Sequence, residues 1–187
     1  MKPGQIRIIA GKWKGSPIVF PAIEGLRPTP VRVRETLFNW LQSVVSGANC
    51  LDLFAGSGAL SLEALSRGAG MATTIDQQKV LTRELVAIKA RLNIENMQVI
   101  CQDSQEWLQE NSRQRKICYD IVFLDPPFSG GLLSTVCQRL ENSGLLSENA
   151  YIYVEYAADD IISLPDTWQV LKEKQAGHVK YQLCMRG

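Results

Sequence analysis

The sequence predicts an α/β fold built on a doubly wound, mostly parallel sheet. Short apolar runs alternate with amphipathic segments four times between residues 49 and 141, which is the βα alternation of such a sheet. A chain of 187 residues with 45% apolar side chains can bury one sizeable core. Two further apolar runs around Ala176-Gly177 indicate an antiparallel hairpin at one edge of the sheet.

The core elements follow from the apolar runs and their period. The predicted strands cover residues 49–54, 71–76, 97–102, 119–125, 150–156, 167–173 and 179–185. The predicted helices between the first five of them cover residues 58–67, 77–92, 104–111 and 131–141. The sheet is therefore expected to have seven strands, of which the last two form the antiparallel carboxyl-terminal hairpin.

The segment before residue 49 is predicted to form a small β-hairpin arm and one helix. The arm has strands at 5–10 and 17–20. Thr29 is expected to cap the helix with Pro30 at its first position, and apolar side chains then recur at helical spacing as far as Val45. We divide the chain accordingly into an arm at 1–28 and a core domain at 29–187.

A glycine turn follows the first core strand. Gly56-Ser57-Gly58 joins that strand to its helix, and glycines there permit positive φ and a close ligand approach beside the free amides of the helix start. Asp76 closes the next strand twenty residues after Gly56, the spacing at which an acid meets the hydroxyls of a bound ribose. The turn therefore predicts a ligand that carries a ribose.

Two details argue against a nicotinamide dinucleotide at this turn. The dinucleotide fingerprint requires a third glycine where this chain has Ser61, and Asp52 at the strand end would repel a pyrophosphate. An acid at that position suits a ligand with an ammonium group. S-adenosylmethionine combines a ribose, an adenine and an amino acid amine without phosphate, so it is the predicted cofactor.

The segment Asp125-Pro-Pro-Phe directly follows an apolar strand and predicts a pocket for a flat ring with an exocyclic amine. Asp125 can accept a hydrogen bond from the amine, and Pro126 keeps a carbonyl as a second acceptor. Pro126 and Pro127 restrict the turn, while Phe128 offers a stacking face. Next to a methyl donor, this pocket indicates a methyltransferase that acts on a nucleobase amine.

These motifs resemble those of the RsmD family, bacterial methyltransferases that modify N2 of a guanine in small-subunit (16S) ribosomal RNA. The resemblance covers nearly the whole chain. The segments that carry it are Arg7-Ile-Ile-Ala-Gly-Lys-Trp-Lys-Gly, Leu26-Arg-Pro-Thr, Arg32-Val-Arg-Glu-Thr-Leu-Phe-Asn-Trp-Leu, Asp52-Leu-Phe-Ala-Gly-Ser-Gly-Ala-Leu, Leu62-Glu-Ala-Leu-Ser-Arg-Gly-Ala and Asp125-Pro-Pro-Phe. The last motif is shared with DNA and protein amino methyltransferases, so the amino-terminal segments are more specific for the substrate.

The resemblance implies a Rossmann-like, S-adenosylmethionine-dependent methyltransferase fold and a role for each motif. The glycine turn passes under the methionine moiety, and the acids at the strand ends take its amine, the ribose and the adenine in turn. The implied cofactor residues are Asp52, Phe54, Ala55, Gly56, Ser57, Gly58, Asp76, Gln77, Asp103 and Ser104. The implied catalytic residues are Asp125, Pro126, Pro127 and Phe128.

Three positions depart from the family pattern. Val31 stands where an acid usually precedes the Arg-Val-Arg-Glu stretch, and Ser61 replaces a glycine in the helix after the turn. After the second core strand the family tends to show two acids spaced by one residue, whereas Gln77 and Gln78 follow Asp76 here. The shorter Asp at the first of these positions is expected to alter the affinity for the cofactor.

Basic charge is concentrated at the amino terminus. The whole chain has a net charge of +1, but seven basic residues and one acid give the first 34 residues a net charge of +6. This arm is the expected phosphate-facing surface. Its assigned RNA-binding residues are Arg7, Lys12, Lys14, Arg27 and Arg32. The resemblance further implies ribosomal RNA within an assembled or assembling small subunit as the partner, and a monomeric enzyme.

The remaining composition bounds the compartment and the chemistry. Five cysteines without a close pair favour free thiols in a reducing cytosol, and with the single histidine His178 a metal site lacks ligands. No sequence stretch approaches the roughly 20 apolar residues of a membrane span. A soluble, cytoplasmic protein without a metal is expected.

Two other function classes stay open. One is the same chemistry on a different amine, such as adenine N6 in nucleic acid or a glutamine side chain. The other is a non-catalytic RNA-binding assembly factor, against which the intact glycine turn and Asp125 speak. The acids also have structural interpretations: Asp76 and Asp103 are favoured helix caps, and Asp125 can be an acid before a Pro-Pro turn.

Overall fold

The computed structural model describes residues 3–23, 28–112, 117–127 and 131–187. A two-stranded sheet is formed by β1 (Gly4–Arg7) and β2 (Pro17–Phe20). The larger sheet contains β3 (Asn49–Asp52), β4 (Met71–Asp76), β5 (Met97–Cys101), β6 (Tyr119–Leu124), β7 (Leu146–Ala157), β8 (Trp168–Ala176) and β9 (Val179–Arg186). The helices are α1 (Val31–Trp40), α2 (Ala59–Ser66), α3 (Lys79–Arg91), α4 (Ser104–Asn111) and α5 (Leu132–Asn142).

The larger sheet has the strand order β5-β4-β3-β6-β7-β9-β8. Strands β3 to β7 pair in parallel, whereas β9 is antiparallel to both β7 and β8. This confirms the predicted α/β class, the seven strands, the carboxyl-terminal hairpin and the small amino-terminal hairpin. The order reverses between β3 and β6, and in open parallel sheets ligands bind beyond the carboxyl ends of the strands at such a switch point.

One predicted helix start is wrong. The backbone carbonyl of Pro30 accepts the first helical bonds from the amides of Val33 and Arg34, so Pro30 is the N-cap of α1 and Thr29 lies outside it. The Thr29 side chain makes no cap bond and donates instead to Asp125. Apolar spacing beyond the helix also misled the prediction, because Leu41 and Val45 are buried by turns that follow Trp40 rather than by a longer helix.

The strand boundaries differ where the chain turns or pairs locally. Strand β3 ends at Asp52, two residues earlier than predicted, because Leu53 and Phe54 already bend towards the glycine turn. Strand β7 begins at Leu146, four residues earlier than predicted, because Leu146 pairs with Tyr119 ahead of a register shift. Both corrections leave the acids at the carboxyl ends of their strands.

The arm packs onto the face of the larger sheet that carries α1, α2 and α3. Ile8 and Ile18 are fully buried in the same apolar core as Leu37 of α1 and Phe123 of β6. The separate division of the chain at residue 28 therefore describes recognition and not an independent core. On the other face, α4 and α5 cover a second core through Trp107 and other side chains.

Helix α2 is buried on all sides because the arm covers its polar face. The backbone amides of Lys12 and Trp13 donate to the carbonyl oxygen and Oγ of Ser66 at 2.7 and 3.0 Å. Gly11 has φ +81°, and a Cβ there would lie 1.7 Å from the Ser66 carbonyl oxygen. A side chain at position 11 would therefore force the arm away from α2.

Glu63 of α2 ties the arm and α1 together inside this contact. Its carboxylate accepts the backbone amides of Ile9 and Ala10 at 2.8 and 3.1 Å and the Nε of Arg67 at 2.7 Å. It also pairs with the buried guanidinium of Arg34 at 3.7 Å. Arg34 in turn donates to the backbone carbonyls of Thr29 and Arg7. A single buried carboxylate thus organises three segments.

The described residues include no helix that is long and apolar enough to cross a membrane. All five cysteines are free, and Cys50, Cys137 and Cys184 are buried. Burial raises the pKa of each of these three thiols to about 12, so they remain protonated and pack as small apolar groups.

Candidate active site

Acids from neighbouring strands meet at the carboxyl edge of the sheet. Asp52 ends β3 and stands in register with Thr74 of β4 and Phe123 of β6. Asp76 ends β4, and Asp125 directly follows β6. Asp103 lies two residues beyond the end of β5. The structure therefore brings all four predicted acids to one rim, spread across four adjacent strands.

The glycine turn bridges the switch point between β4 and β6. Backbone amides at its start donate to both neighbours, from Leu53 to the carbonyl of Phe123 and from Ala55 to that of Ile75. Gly58 has φ +74°, and a Cβ there would lie 2.3 Å from the Cδ2 of Leu85. This position needs glycine both for its backbone conformation and for the close packing of α3.

The start of α2 offers backbone donors at this turn. Gly58 is the N-cap of the helix, and no side chain caps it. The first amides of a helix have no partner within the helix, so they can receive a ligand's carboxylate. Ser57, next to them, is buried, and Phe54 on the opposite side of the turn is half-buried.

Asp76 fixes the turn from the end of β4. Its Oδ2 accepts the amide of Gly56 at 2.8 Å, and its Oδ1 accepts the amide of Gln78 at 2.7 Å. Each carboxylate oxygen has two acceptor sites, so both can still receive a hydroxyl. Asp76 remains half-buried, whereas Gln77 is exposed. Burial raises the pKa of Asp76, and the two amide hydrogen bonds oppose that shift.

Asp52 is almost fully buried beneath the turn. Ser61, the residue that replaces the usual glycine, donates its hydroxyl to Oδ2 of Asp52 at 2.5 Å. Burial raises the pKa of Asp52 to about 6 although the bond from Ser61 lowers it, and the negative charge of Asp76 adds to the increase. A cationic group placed next to Asp52 would favour its ionised form.

Asp103 caps helix α4. Its Oδ1 accepts the amides of Gln105 and Glu106 at 2.8 and 3.1 Å, which confirms the cap interpretation. Ser104, the first residue of that helix, is buried. An adenine contact by Asp103 and Ser104 stays a prediction, and the cap leaves Oδ2 of Asp103 without a hydrogen bond to any described residue.

Asp125 follows β6 at the centre of the rim and is half-buried. The hydroxyl of Thr29 donates to its Oδ2 at 3.3 Å. Burial raises the pKa of Asp125 well above its usual range, and the nearby negative charges of Glu155 and Asp52 raise it further. Pro126 is buried and Pro127 is exposed, while the predicted stacking residue Phe128 lies outside the described residues.

Two contributors to this site escaped the sequence prediction. Thr29, assigned to a helix cap, instead anchors Asp125 across 96 residues of sequence. Glu155 of β7 is buried and accepts a hydrogen bond from the Tyr153 hydroxyl at 2.7 Å. An acid within the otherwise apolar run of β7 was the available signal for Glu155, although no motif marked it.

A cleft opens beside the Pro-Pro turn. It lies between the ends of β6 and β7, the start of α5 and the segment after β7. Its described lining residues are Pro126, Pro127, Gly131, Leu133, Ser134, Glu155, Tyr156, Asp160, Ile161 and Ile162. Mostly apolar walls with a few polar groups suit a flat, partly polar ring.

The basic residues of the arm remain available to solvent. Arg7, Lys12, Lys14 and Arg32 are exposed, and none of them pairs with an acid among the described residues. Arg7 donates to the carbonyl of Gly15 at 2.8 Å, and the Nζ of Lys12 lies 5.0 Å from the centre of the Trp13 ring. Arg27 lies outside the described residues.

The site therefore combines a turn with free amides, buried acids and a ring-sized cleft. Within the described ranges, no cluster of three His, Cys, Asp or Glu side chains could hold a metal ion. What the described groups can do is bind cations and amines and position one amine against a ligand on the turn.

Comparison with known proteins gives the same fold and motif set. The chain matches, over residues 6–185, the sequence model of a family described as conserved hypothetical protein 95. A relative in Escherichia coli, named ribosomal RNA small subunit methyltransferase D, is 45% identical over 184 residues, which is 98% of this chain and 91% of the relative. A relative of the same name in Haemophilus influenzae is 42% identical and covers 96% of this chain and 93% of its own length.

Solved structures extend this similarity to three dimensions. The structure of yhhF from Escherichia coli has a TM-score of 0.88 and 45% identity, with 98% of each chain covered. A structure from Haemophilus influenzae has a TM-score of 0.84 and 39% identity, covering 98% of this chain and 99% of its own. The predicted Rossmann-like methyltransferase fold is therefore confirmed over nearly the whole chain.

Proposed function

The chain belongs to the RsmD family, that of conserved hypothetical protein 95, and from this premise we propose that it transfers a methyl group from S-adenosylmethionine to N2 of a guanine in 16S ribosomal RNA. The observation that carries the proposal is the placement of Asp52 and Asp125 at the ends of adjacent strands. Their charges interact, so a cation held by the first acid lies close to an amine held by the second.

The described residues fit S-adenosylmethionine group by group. The buried carboxylate of Asp52 suits its ammonium group, and the uncapped start of α2 suits its carboxylate. Asp76 keeps acceptor capacity for the ribose hydroxyls. Asp103 and Ser104 complete the assignment on the adenine side. The cofactor supplies a methyl group on a sulfonium, which is already a good leaving group.

The residues around Asp125 position the other reactant. Guanine N2 is a weak nucleophile because its lone pair is delocalised into the ring, and acceptors on both of its hydrogens favour the pyramidal amine that attacks. Asp125 and the carbonyl of Pro126 supply these acceptors. As the N2–methyl bond forms, the sulfur–methyl bond breaks with its electron pair on sulfur, and one amine proton passes to Asp125. Alignment is the main contribution of the protein to the rate.

The target guanine has to be unpaired to react. N2 of a paired guanine lies at the minor-groove edge of a helix and is engaged in its base pair, so the base must lie in a loop or be flipped out. The cleft beside Pro126 and Pro127 would receive it, with Phe128 as the stacking face. The exposed cations Arg7, Lys12, Lys14 and Arg32, with Arg27, would hold the phosphates.

The substrate context and cellular setting follow from the family. We place the protein in the cytoplasm as a monomer that acts on an assembled or assembling small subunit, with residues 1–28 serving RNA recognition. Adenine N6 remains the alternative amine, and the nucleoside product separates the two. A non-catalytic assembly factor is the other alternative, and it would bind RNA without binding S-adenosylmethionine.

Cofactor binding tests this proposal and carries a pH dependence. Because Asp52 has a pKa of about 6 and is ionised only above it, the affinity for S-adenosylhomocysteine should increase about tenfold from pH 5 to pH 7 and then level off. Calorimetric titration across this range measures the effect. Asp52→Asn should bind more weakly at pH 7 and lose most of the slope. An unchanged slope in Asp52→Asn would contradict the assignment of Asp52.

The arm should contribute to RNA affinity through phosphate contacts. Replacing Lys12 and Lys14 by alanine is expected to reduce the salt dependence of small-subunit RNA binding by about one logarithmic unit per lost contact. The variant Lys172→Ala/Lys174→Ala removes two exposed lysines of β8 and is the matched control. Equal salt slopes for the two variants would contradict the role of the arm.

A further inference from the structure

A second buried acid stands beside Asp125 and has no part in the transfer described above. Glu155 lies on β7, where Val154 pairs with Leu124 of β6, so Glu155 is the neighbour of Asp125 across the parallel ladder. Two residues earlier on each strand, Phe123 and Tyr153 pair with each other and lie in the same core. Since side chains alternate along a strand, Asp125 and Glu155 project from the same face.

A rigid hydroxyl holds the Glu155 carboxylate. Tyr153 donates to its Oε2 at 2.7 Å, and the fully buried Tyr153 ring lies 6.2 Å from the ring of Tyr181. The same arrangement holds Asp52 through Ser61 and Asp125 through Thr29. Three acids on three adjacent strands are thus each held by one hydroxyl donor.

The hydrogen bonding of Glu155 is incomplete. Its residue is 4% exposed, yet Oε1 accepts no hydrogen bond from any described residue. A buried carboxylate without enough donors is destabilising, and buried acids are normally paired or fully hydrogen-bonded. The residue also lines the cleft together with Pro126 and Pro127. An unused acceptor at this cleft indicates a ligand that brings a hydrogen-bond donor.

Guanine carries such a donor next to the amine that reacts. Its N1–H adjoins N2 on the same edge of the ring, whereas adenine has an N1 acceptor without hydrogen next to N6. Adjacent strands lie about 4.8 Å apart, so acids on β6 and β7 can address neighbouring groups of one ring edge. A carboxylate facing N1 would accept the guanine N1–H and repel the adenine lone pair.

We propose that Glu155 determines the choice of base by accepting the N1–H of the target guanine while Asp125 and Pro126 hold its N2 amine. This inference rests on the proposed function. Burial raises the pKa of Glu155, and the hydrogen bond from Tyr153 opposes the shift by stabilising the ionised form that accepts N1–H. Glu155 is therefore a reader of the base, whereas Asp125 acts on the reacting amine.

The test separates N1 from N2 with one base analogue. Once the methylated guanine is mapped, small subunits are reconstituted from ligated RNA that carries guanine or 2-aminopurine at this position. The analogue retains the 2-amino group but has a bare N1 acceptor. The wild-type enzyme should favour guanine by about a hundredfold in kcat/KM, because the analogue leaves Glu155 unpaired and faces it with a lone pair.

The variant Glu155→Gln provides the decisive comparison. A carboxamide can donate to the bare N1 as well as accept from N1–H, so the preference for guanine should decrease about tenfold or more. Tyr153→Phe, which removes the hydroxyl that holds the acid, should reduce the preference less. Glu148→Gln changes an exposed acid of the same strand and should leave the preference unchanged.

Each outcome decides the matter. A reduced preference in Glu155→Gln supports the inference, whereas equal losses on both bases, or an unchanged preference, would assign Glu155 a structural role. If Glu155→Gln fails to bind S-adenosylhomocysteine, the Tyr153→Phe ratio decides in the same way. Absence of N2 methylation by the wild-type enzyme would instead overturn the proposed function, so the two failures are distinguishable.

Discussion

Replacing Asp125 by alanine is expected to lower the rate of methyl transfer by about a thousandfold or more, equivalent to about 4 kcal/mol of transition-state stabilisation. Asp125 lies at the centre of the rim and holds the reacting amine in the proposed step. Its loss removes both an acceptor and the proton's destination. Single-turnover transfer to small ribosomal subunits measures the rate.

Affinity for the cofactor gives the control for Asp125. Alanine there removes a negative charge near Asp52 but no group assigned to the cofactor, so the dissociation constant of S-adenosylhomocysteine should change by less than about threefold. Thr29→Ala, which removes the hydroxyl donor to Asp125 at 3.3 Å, should lower the rate about tenfold. If Asp125→Ala loses cofactor binding and transfer together, Asp125 is structural.

Replacing Glu63 by alanine is expected to lower the free energy of unfolding by about 3–5 kcal/mol, a large share of the stability of a domain this size. The change leaves the buried guanidinium of Arg34 without its carboxylate partner and the amides of Ile9 and Ala10 without an acceptor. The arm should then detach from α2. Urea denaturation followed by tryptophan fluorescence measures the loss.

A surface acid provides the comparison for Glu63. Glu84 is exposed on α3, and Glu84→Ala should change the free energy of unfolding by less than about 0.5 kcal/mol. Because the arm carries the basic surface, Glu63→Ala should also weaken RNA binding. A loss below about 1 kcal/mol for Glu63→Ala would contradict the role of this carboxylate in joining three segments.

The βα alternation allowed most of the fold to be predicted. Strand β4 and helix α4 have the bounds that the sequence predicts, and the other elements shift by a few residues. The errors occur where tertiary contacts override local patterns. Thr29 resembles a helix cap in sequence, but its hydroxyl is used by Asp125, which is distant in the chain and adjacent in space.

The burial of Glu63 illustrates what a sequence pattern cannot reveal. Within the predicted amphipathic helix 58–67, Glu63 and Ser66 have the composition of a solvent-facing side. The arm covers that side, and helix α2 is buried all round. Periodicity reports which face is polar, but it does not report that another segment supplies the partners of that face.

The site could be predicted where a motif is contiguous. The glycine turn and the Asp-Pro-Pro segment each place several groups within a few residues, and strand ends supplied the acids. Glu155 has no such motif, because its neighbour Asp125 is joined to it by strand pairing alone. The roles of Asp52, Asp76 and Asp103 towards the cofactor stay predictions.

The most direct measurement is transfer of labelled methyl from S-adenosylmethionine to small ribosomal subunits that lack this modification, followed by nucleoside analysis of the RNA. The account expects N2-methylguanosine at one position, with no label in Asp125→Ala. Label in N6-methyladenosine, or no label from a protein that binds the cofactor, would contradict it.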